Sequence, residues 1–543
     1  MALTMTTSRC FLMAKVPAWL SQNNLRTSAF ANRSIGLLEE SSLSPKKNCP
    51  LRMTVENLTE QWTKSEKASE DSYASTKQFH QVPGPTGFPV IGTLLDYFKK
   101  DGLKFSKMFE AYRQRSLQFG PIFKEKIGPI ETVVVSDPDE YAKVIRSEGR
   151  HPVRRQMEPM VFYREQRDLE PGLVNSQGEH WHHLRSAVSK HMLKLQTINR
   201  FSSPVNSVAK DFVRRIHEIK DSENEVAGIE TEVFKWALES FGTFLFDQRI
   251  GCLDNNPSNL AQDFIFHLQS YFRHMQPLMY NLPFYKLFRT KRWIDYETHS
   301  DEVMRIGRQL FDQRISSLTP GEGVSPSSFL GQLFFNENLS ATEVTGTAVD
   351  LLMAAVETTS NALLWCLYCL ANNMDVQERL FQEVDSVFQL EENLSQESLT
   401  QMPLIRAVLK ETFRLYPITY ATSRILPRDL EVGGYNIPAG THIQANLYGM
   451  FRDASYFPDP ESFKPERWLR GNMDSNLQSL SNLIWGHGPR MCIGRRFAEM
   501  ELHILLAKLI HSFKLSYTGD AVEPVLNTVM TPDRPLQISF SPR

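Results

Sequence analysis

The chain is poor in cysteine: among 543 residues only Cys10, Cys49, Cys252, Cys366, Cys369 and Cys492 occur, and no repeated spacing relates them. That scatter argues against a disulfide framework or a zinc ribbon and suits a reducing compartment. Net charge is also lacking, with 60 basic against 62 acidic residues and a balance of -2. Nothing global therefore attracts nucleic acid, and any electrostatic docking must be local. No stretch reads as the ~18 consecutive apolar residues of a spanning helix, so the chain is not expected to cross a membrane. No internal repeat is visible, which excludes a solenoid.

The first 38 residues lack Asp and Glu entirely, yet hold Arg9, Lys15, Arg26, Arg33 and many Ser and Thr. This composition matches a mitochondrial transit peptide better than a secretory signal. Residues 39–82 read as a polar linker, and folded structure is expected from Pro83, where prolines and glycines in Pro83–Gly92 fix an irregular opening segment.

What is present is mostly helical patterning with short β-like runs. Ile122–Ile127 and Glu131–Val135 flank Gly128-Pro129 and predict a hairpin. An Arg- and Pro-rich loop is expected over 150–175, then a helix from Glu179 that puts Trp181 and Arg185 on one face. Gln276–Tyr285 reads as an aromatic loop containing Pro277 and Pro283, with Lys286, Arg289, Lys291 and Arg292 beside it. It is either a buried interhelix connection or a patch lying on a membrane surface. Ser340 and Glu343 have capping-box spacing and open a helix to about Asn372, ~48 Å long at ~1.5 Å per residue. Its apolar middle turns abruptly polar at Glu357-Thr358, a structural hydrogen bond or a proton relay. Cys366 and Cys369 fall in an apolar helical run and read as core packing.

Further on, Glu411 and Arg414 share a face of a helix around Met402–Leu415, Leu430–Thr441 has the turn residues of a hairpin, and Pro465-Glu466-Arg467-Trp468 follows. Last comes Trp485-Gly486-His487-Gly488-Pro489-Arg490-Met491-Cys492-Ile493-Gly494, directly before a helical pattern. A glycine-rich turn exposes the sulfur, and a helix start with a nearby guanidinium favours its thiolate.

With Ala355–Thr359, Glu411–Arg414, Pro465–Trp468 and the cysteine loop in this order and spacing, the chain over 83–543 resembles the cytochrome P450 family of haem-thiolate monooxygenases. The resemblance implies one large, mainly α domain with small β-sheets and a haem b (iron protoporphyrin IX) whose axial iron ligand is Cys492. It implies that Arg490, Trp181, Arg185 and Arg424 bind the haem propionates, and that Glu357 and Thr358 deliver protons during oxygen activation. Glu411, Arg414 and Arg467 resemble the family's structural triad. Arg406 and Lys410, four apart on the helix of Glu411, match the basic pair with which the mitochondrial branch docks a ferredoxin, and Arg495 and Arg496 add charge beside them.

Two positions depart from the family pattern: Trp485 stands where phenylalanine is usual, and Ala355 where many members have glycine. The implied activity is hydroxylation of a lipophilic, sterol-like molecule by O2, with ferredoxin as electron donor, peripherally on the matrix side of the inner mitochondrial membrane. Leu352, Ala355, Ile418 and Val529 are expected around the substrate. A haem-thiolate isomerase or dehydratase, or a non-enzymatic haem sensor, remains the alternative.

Overall fold

The computed structural model describes residues 76–255, 258–316, 328–473 and 475–543; the transit-peptide expectation lies outside them. Eight helices position the site: α1 (Glu158–Glu165), α2 (Gly178–Met192), α3 (Ile229–Phe246), α4 (Asn259–Tyr280), α5 (Lys291–Ser316), α6 (Ala341–Asn372), α7 (Pro403–Leu415) and α8 (Arg495–Ser512).

Helix α6 is the axis of the molecule. Ser340 and Glu343 form the expected reciprocal capping box, and no proline interrupts the helix before Asn372. It packs most extensively on α3 and also meets α5, α7 and α8. By length and composition it would pass for a membrane span, contrary to the sequence expectation that no such stretch exists, yet 78% of its most apolar window is buried in the protein. Its apolar surface is spent on the core. Trp365 illustrates this: it is fully buried, stacks on Tyr416 at 3.9 Å and donates its indole N–H to the carbonyl of Met530 at 3.1 Å. Cys366 and Cys369 are buried there too, and burial raises both thiol pKa values.

The strands form small sheets. β2 (Ile122–Ile127) and β3 (Ile130–Val135) make the expected hairpin, in register from Ile122 opposite Val135 to Ile127 opposite Ile130. β7 (His442–Asn446) joins β3 in parallel, and β4 (Ala421–Ile425) pairs antiparallel with β7, giving the order β2-β3-β7-β4. β5 (Leu430–Val432) and β6 (Tyr435–Ile437) form the second expected hairpin.

Three boundaries differ from the sequence reading. The stretch read as a linker contains regular structure, because β1 (Lys77–Gln78) adds to the edge of β6 and a 3₁₀ turn over Phe79–Gln81 follows. The 150–175 loop contains α1 and a short helix at Gly172–Asn175, which pack on α4 and α6 respectively. Pro277 lies inside α4 rather than in a loop: its fixed φ is helical, and apolar neighbours such as Met275 and Leu278 are buried, so packing outweighs the lost N–H bond.

Candidate functional site

The cysteine loop is held by backbone conformation. Gly486 and Gly488 have φ of 75° and 78°, and a Cβ on Gly488 would lie 2.1 Å from the Glu148 carboxylate, so only glycine fits. The amide of Cys492 donates to the carbonyl of Trp485 at 2.8 Å. Gly494 caps α8, aiming the positive end of the helix dipole at the sulfur. Cys492 has open surface, and that surface faces a cavity of about 230 Å³ also lined by Thr358, Thr359, Ala362, Ile418 and Leu502. Without a ligand, burial raises the thiol pKa; the amides of Gly494 and Arg495 and the charge of Arg185 act in the other direction. The guanidinium facing the sulfur is thus that of Arg185, not that of the neighbouring Arg490. Of the apolar residues expected around the substrate, Ile418 lines this cavity, whereas Leu352, Ala355 and Val529 are not among its lining.

Arg490 turns away from the sulfur to donate to the carbonyls of Pro152 at 3.0 Å and Ser176 at 2.9 Å, and its guanidinium lies 3.9 Å from the centre of the Trp181 ring. Trp181 does not line the cavity and meets the site through this contact with Arg490. Arg185 donates to the carbonyl of Met491 at 2.6 Å, and Arg424 to that of His487 at 2.9 Å while pairing with Glu148. A fourth member, Arg154, lines the cavity beside Arg490. Sequence reasoning missed it, because nothing in the Arg-rich loop distinguishes Arg154 from its neighbours. Burial, followed by mutual repulsion, lowers the pKa of Arg490 to about 9 and that of Arg154 to about 10, and burial lowers that of Arg185 to about 10. Nη1 of Arg490 is buried without a partner. Glu148 pairs with Arg424 and acts on Arg490, whereas Arg154 and Arg185 have no acid paired with them among the described residues, so the four guanidinium groups make an anion receptor short of anionic charge. This donor set fits a group that carries two carboxylates, as the propionates of a haem do.

Glu357 and Thr358 diverge. Thr358 lines the cavity and donates its hydroxyl to the carbonyl of Ala354 at 2.8 Å. Glu357 is buried behind it, accepting from Nδ2 of Asn361 at 3.2 Å, with its other oxygen unpartnered. Burial raises its pKa to about 8, so it is protonated at neutral pH. A second buried acid, absent from the sequence reading, is Glu501 on α8. It accepts from Ser240 at 2.7 Å and from Thr359 at 3.2 Å, and burial raises its pKa to about 8.

Glu411, Arg414 and Arg467 meet as expected. Arg414 donates twice to Glu411 at 2.9 Å, and Nε of Arg467 lies 3.3 Å from the same carboxylate. The indole of Trp468 adds a bond at 2.8 Å, and Arg414 also gathers the carbonyls of Phe451, Pro460 and Ser462. On the opposite side of Trp485, Arg406, Lys410, Arg495 and Arg496 line one concave surface. Arg406 is exposed there, and Arg495 pairs with Glu499 at 3.0 Å.

Comparison with known proteins agrees with this geometry. A family model described as Cytochrome P450 matches residues 82–540. The chain is 52% identical over 509 residues to Cytochrome P450 10 of Lymnaea stagnalis, covering 92% of each chain. It is 32% identical over 470 residues to the mitochondrial 1,25-dihydroxyvitamin D(3) 24-hydroxylase of Mus musculus, covering 86% of this chain and 90% of the relative. Against the mitochondrial sterol 26-hydroxylase of Mus musculus the identity is 31% over 441 residues, covering 78% and 83%. The chain belongs to the cytochrome P450 family and is a haem-thiolate monooxygenase.

Proposed function

We propose that this protein hydroxylates a lipophilic, sterol-like molecule, RH + O2 + 2e⁻ + 2H⁺ → ROH + H2O, with the electrons delivered singly by a ferredoxin in the mitochondrial matrix. The observation that carries the reading is the convergence on one cavity of Cys492, the hydroxyl of Thr358 and the guanidinium groups of Arg154 and Arg490. Cys492 would ligate the iron of haem b, while Arg154, Arg185, Arg424 and Arg490, the last stacked on Trp181, would hold its propionates. When bound, the haem supplies oxygen activation and C–H oxidation.

The chain's own residues do the rest. Thr358 places a hydroxyl at the wall, and Glu357, neutral at physiological pH, holds a transferable proton one residue behind it. One oxygen of Glu357 is buried with no hydrogen-bond partner among the described residues. Glu411, Arg414 and Arg467 hold the chain segment before the cysteine loop and touch no reacting atom.

Arg406, Lys410, Arg495 and Arg496 would dock an acidic ferredoxin. Peripheral membrane association is supported by exposed Phe284, Leu287 and Phe288 between α4 and α5, beside Lys286, Arg289, Lys291 and Arg292. The mitochondrial names of relatives that cover most of the chain support the location.

Turnover with ferredoxin, ferredoxin reductase and NADPH tests the reading. Hydroxylated product with matching NADPH use is the expected result. Substrate conversion without NADPH would favour an isomerase or dehydratase, and a thiolate spectrum with no oxygen consumption would favour a sensor.

A further inference from the structure

A second cavity, also about 230 Å³, adjoins the first, sharing Arg154, Thr419 and Thr422 with it. Ile127, Ile130, Met157 and Met279 make part of its wall apolar. Into this setting projects Arg155, the residue after the cluster member Arg154 and partly buried. Among the described residues no carboxylate pairs with Arg155 and no hydrogen bond engages its guanidinium. The nearest acid on the wall, Glu158, is taken by Lys286 at 3.0 Å. Burial lowers the pKa of Arg155, and the opposing influence of Tyr280 and of the charge of Glu158, which forms no ion pair with it, does not offset that burial.

Apart from Arg154 and Glu158, the polar groups that line this cavity with Arg155 are neutral hydrogen-bonding groups. Burial and then the charge of Arg155 lower the pKa of His442 to about 4, and Nδ1 of its ring meets the hydroxyl of Thr132 at 2.9 Å. The hydroxyls of Tyr280 and Tyr420 bond each other at 2.9 Å, and the amide of Gln444 reaches Tyr420 at 3.4 Å. Burial raises the pKa of both phenols, so neither supplies an anion. A guanidinium fork is matched in charge and shape by one carboxylate, whereas a hydroxyl leaves the charge uncompensated.

We propose that the substrate is an amphipathic lipid ending in a carboxylate, with the carboxylate seated on Arg155 and the apolar body lying along the apolar wall of the second cavity toward its boundary with the first at Arg154, Thr419 and Thr422, the first being the place assigned to the haem. This rests on the monooxygenase reading above and narrows its substrate class from sterol-like lipids in general to those carrying an acid.

The test is calorimetric titration of the haem-loaded enzyme with two matched pairs, dodecanoate against dodecanol and cholanoate against cholan-24-ol, in wild type, Arg155→Gln and Arg155→Lys. The expected result is an acid bound about tenfold or more tighter than its alcohol in wild type, as a charge-assisted bond requires. Arg155→Gln removes that preference without weakening the alcohol, and Arg155→Lys restores part of it. Preference in only one pair assigns the body as a straight chain or a steroid nucleus and supports the proposal. Equal affinity for acid and alcohol in wild type, or a preference that survives in Arg155→Gln, overturns it. The thiolate-type Soret band of the reduced carbon monoxide complex separates the two readings: with the band present and no acid preference only this inference fails, and without the band the monooxygenase reading fails first.

Discussion

Trp485 accepts the amide of Cys492 through its backbone carbonyl at 2.8 Å, while its ring packs edge-on against Phe413 at 5.3 Å. The same residue lines both the cavity of the sulfur and the basic concave surface on the other side. With Phe413, which also lines both, it separates the sites assigned to catalysis and to electron delivery. Because the contact to Cys492 is main-chain, Trp485→Phe should leave the thiolate-type Soret shift of the reduced carbon monoxide complex in place. Cys492→Ser should abolish it, and an unchanged spectrum in that variant would refute the ligand assignment.

Thr358 offers its hydroxyl at the cavity wall, with Glu357 behind it. Thr358→Ala should raise the hydrogen peroxide released per NADPH and lower product by ~100-fold or more, the scale of a lost proton donor. Thr358→Ser should restore coupling. Product and peroxide yields together decide the matter, and unaltered coupling in the alanine variant removes Thr358 from the relay.

Glu501, buried against the hydroxyls of Ser240 and Thr359, carries a folded pKa of about 8 against an ordinary 4.5. Its contribution to stability is fully present below pH 4.5. From there to about pH 8 the unfolded chain gives up a proton that the folded chain retains, so stability falls as pH rises, by at most ~1.4 kcal/mol per pH unit. Glu501→Gln should flatten this decline in thermal midpoint between pH 5 and 8. A slope equal to that of wild type would show that the acid does not titrate as its burial implies.

The carboxylate of Glu411 is enclosed with Arg414 at no exposure. Removing one partner of such a pair leaves a buried charge unmatched, at a cost of about 3–5 kcal/mol. Glu411→Ala should therefore give protein of low yield and low haem content. Haem-to-protein ratio and urea midpoint measure it, and a fully loaded, stable variant would show that the triad is dispensable.

Arg406 and Lys410 lie on the concave basic surface. Charge reversal at either, Arg406→Glu or Lys410→Glu, should raise the KM for ferredoxin several-fold and weaken its salt dependence, with kcat at saturating ferredoxin less affected. Stopped-flow reduction at two ionic strengths checks this, and unchanged kinetics would place docking elsewhere.

Much of this site was legible in the residues themselves. The capping box at Ser340 and Glu343, the glycine-rich turn at Cys492 and the three-residue spacing of Glu411 and Arg414 are local patterns, enforced by backbone geometry within one turn. The sequence by itself therefore determined the long central helix, the presentation of the sulfur and the buried pair. Contacts between distant segments carry no such mark. Only the tertiary structure decided that Arg185 rather than Arg490 faces Cys492, that Arg154 joins the guanidinium cluster while Arg155 stands unpaired, that Glu501 meets Thr359, and that α4 runs through Pro277. The physical reason is the same in each case: desolvation and charge pairing depend on which elements pack together, and packing outweighs local propensity.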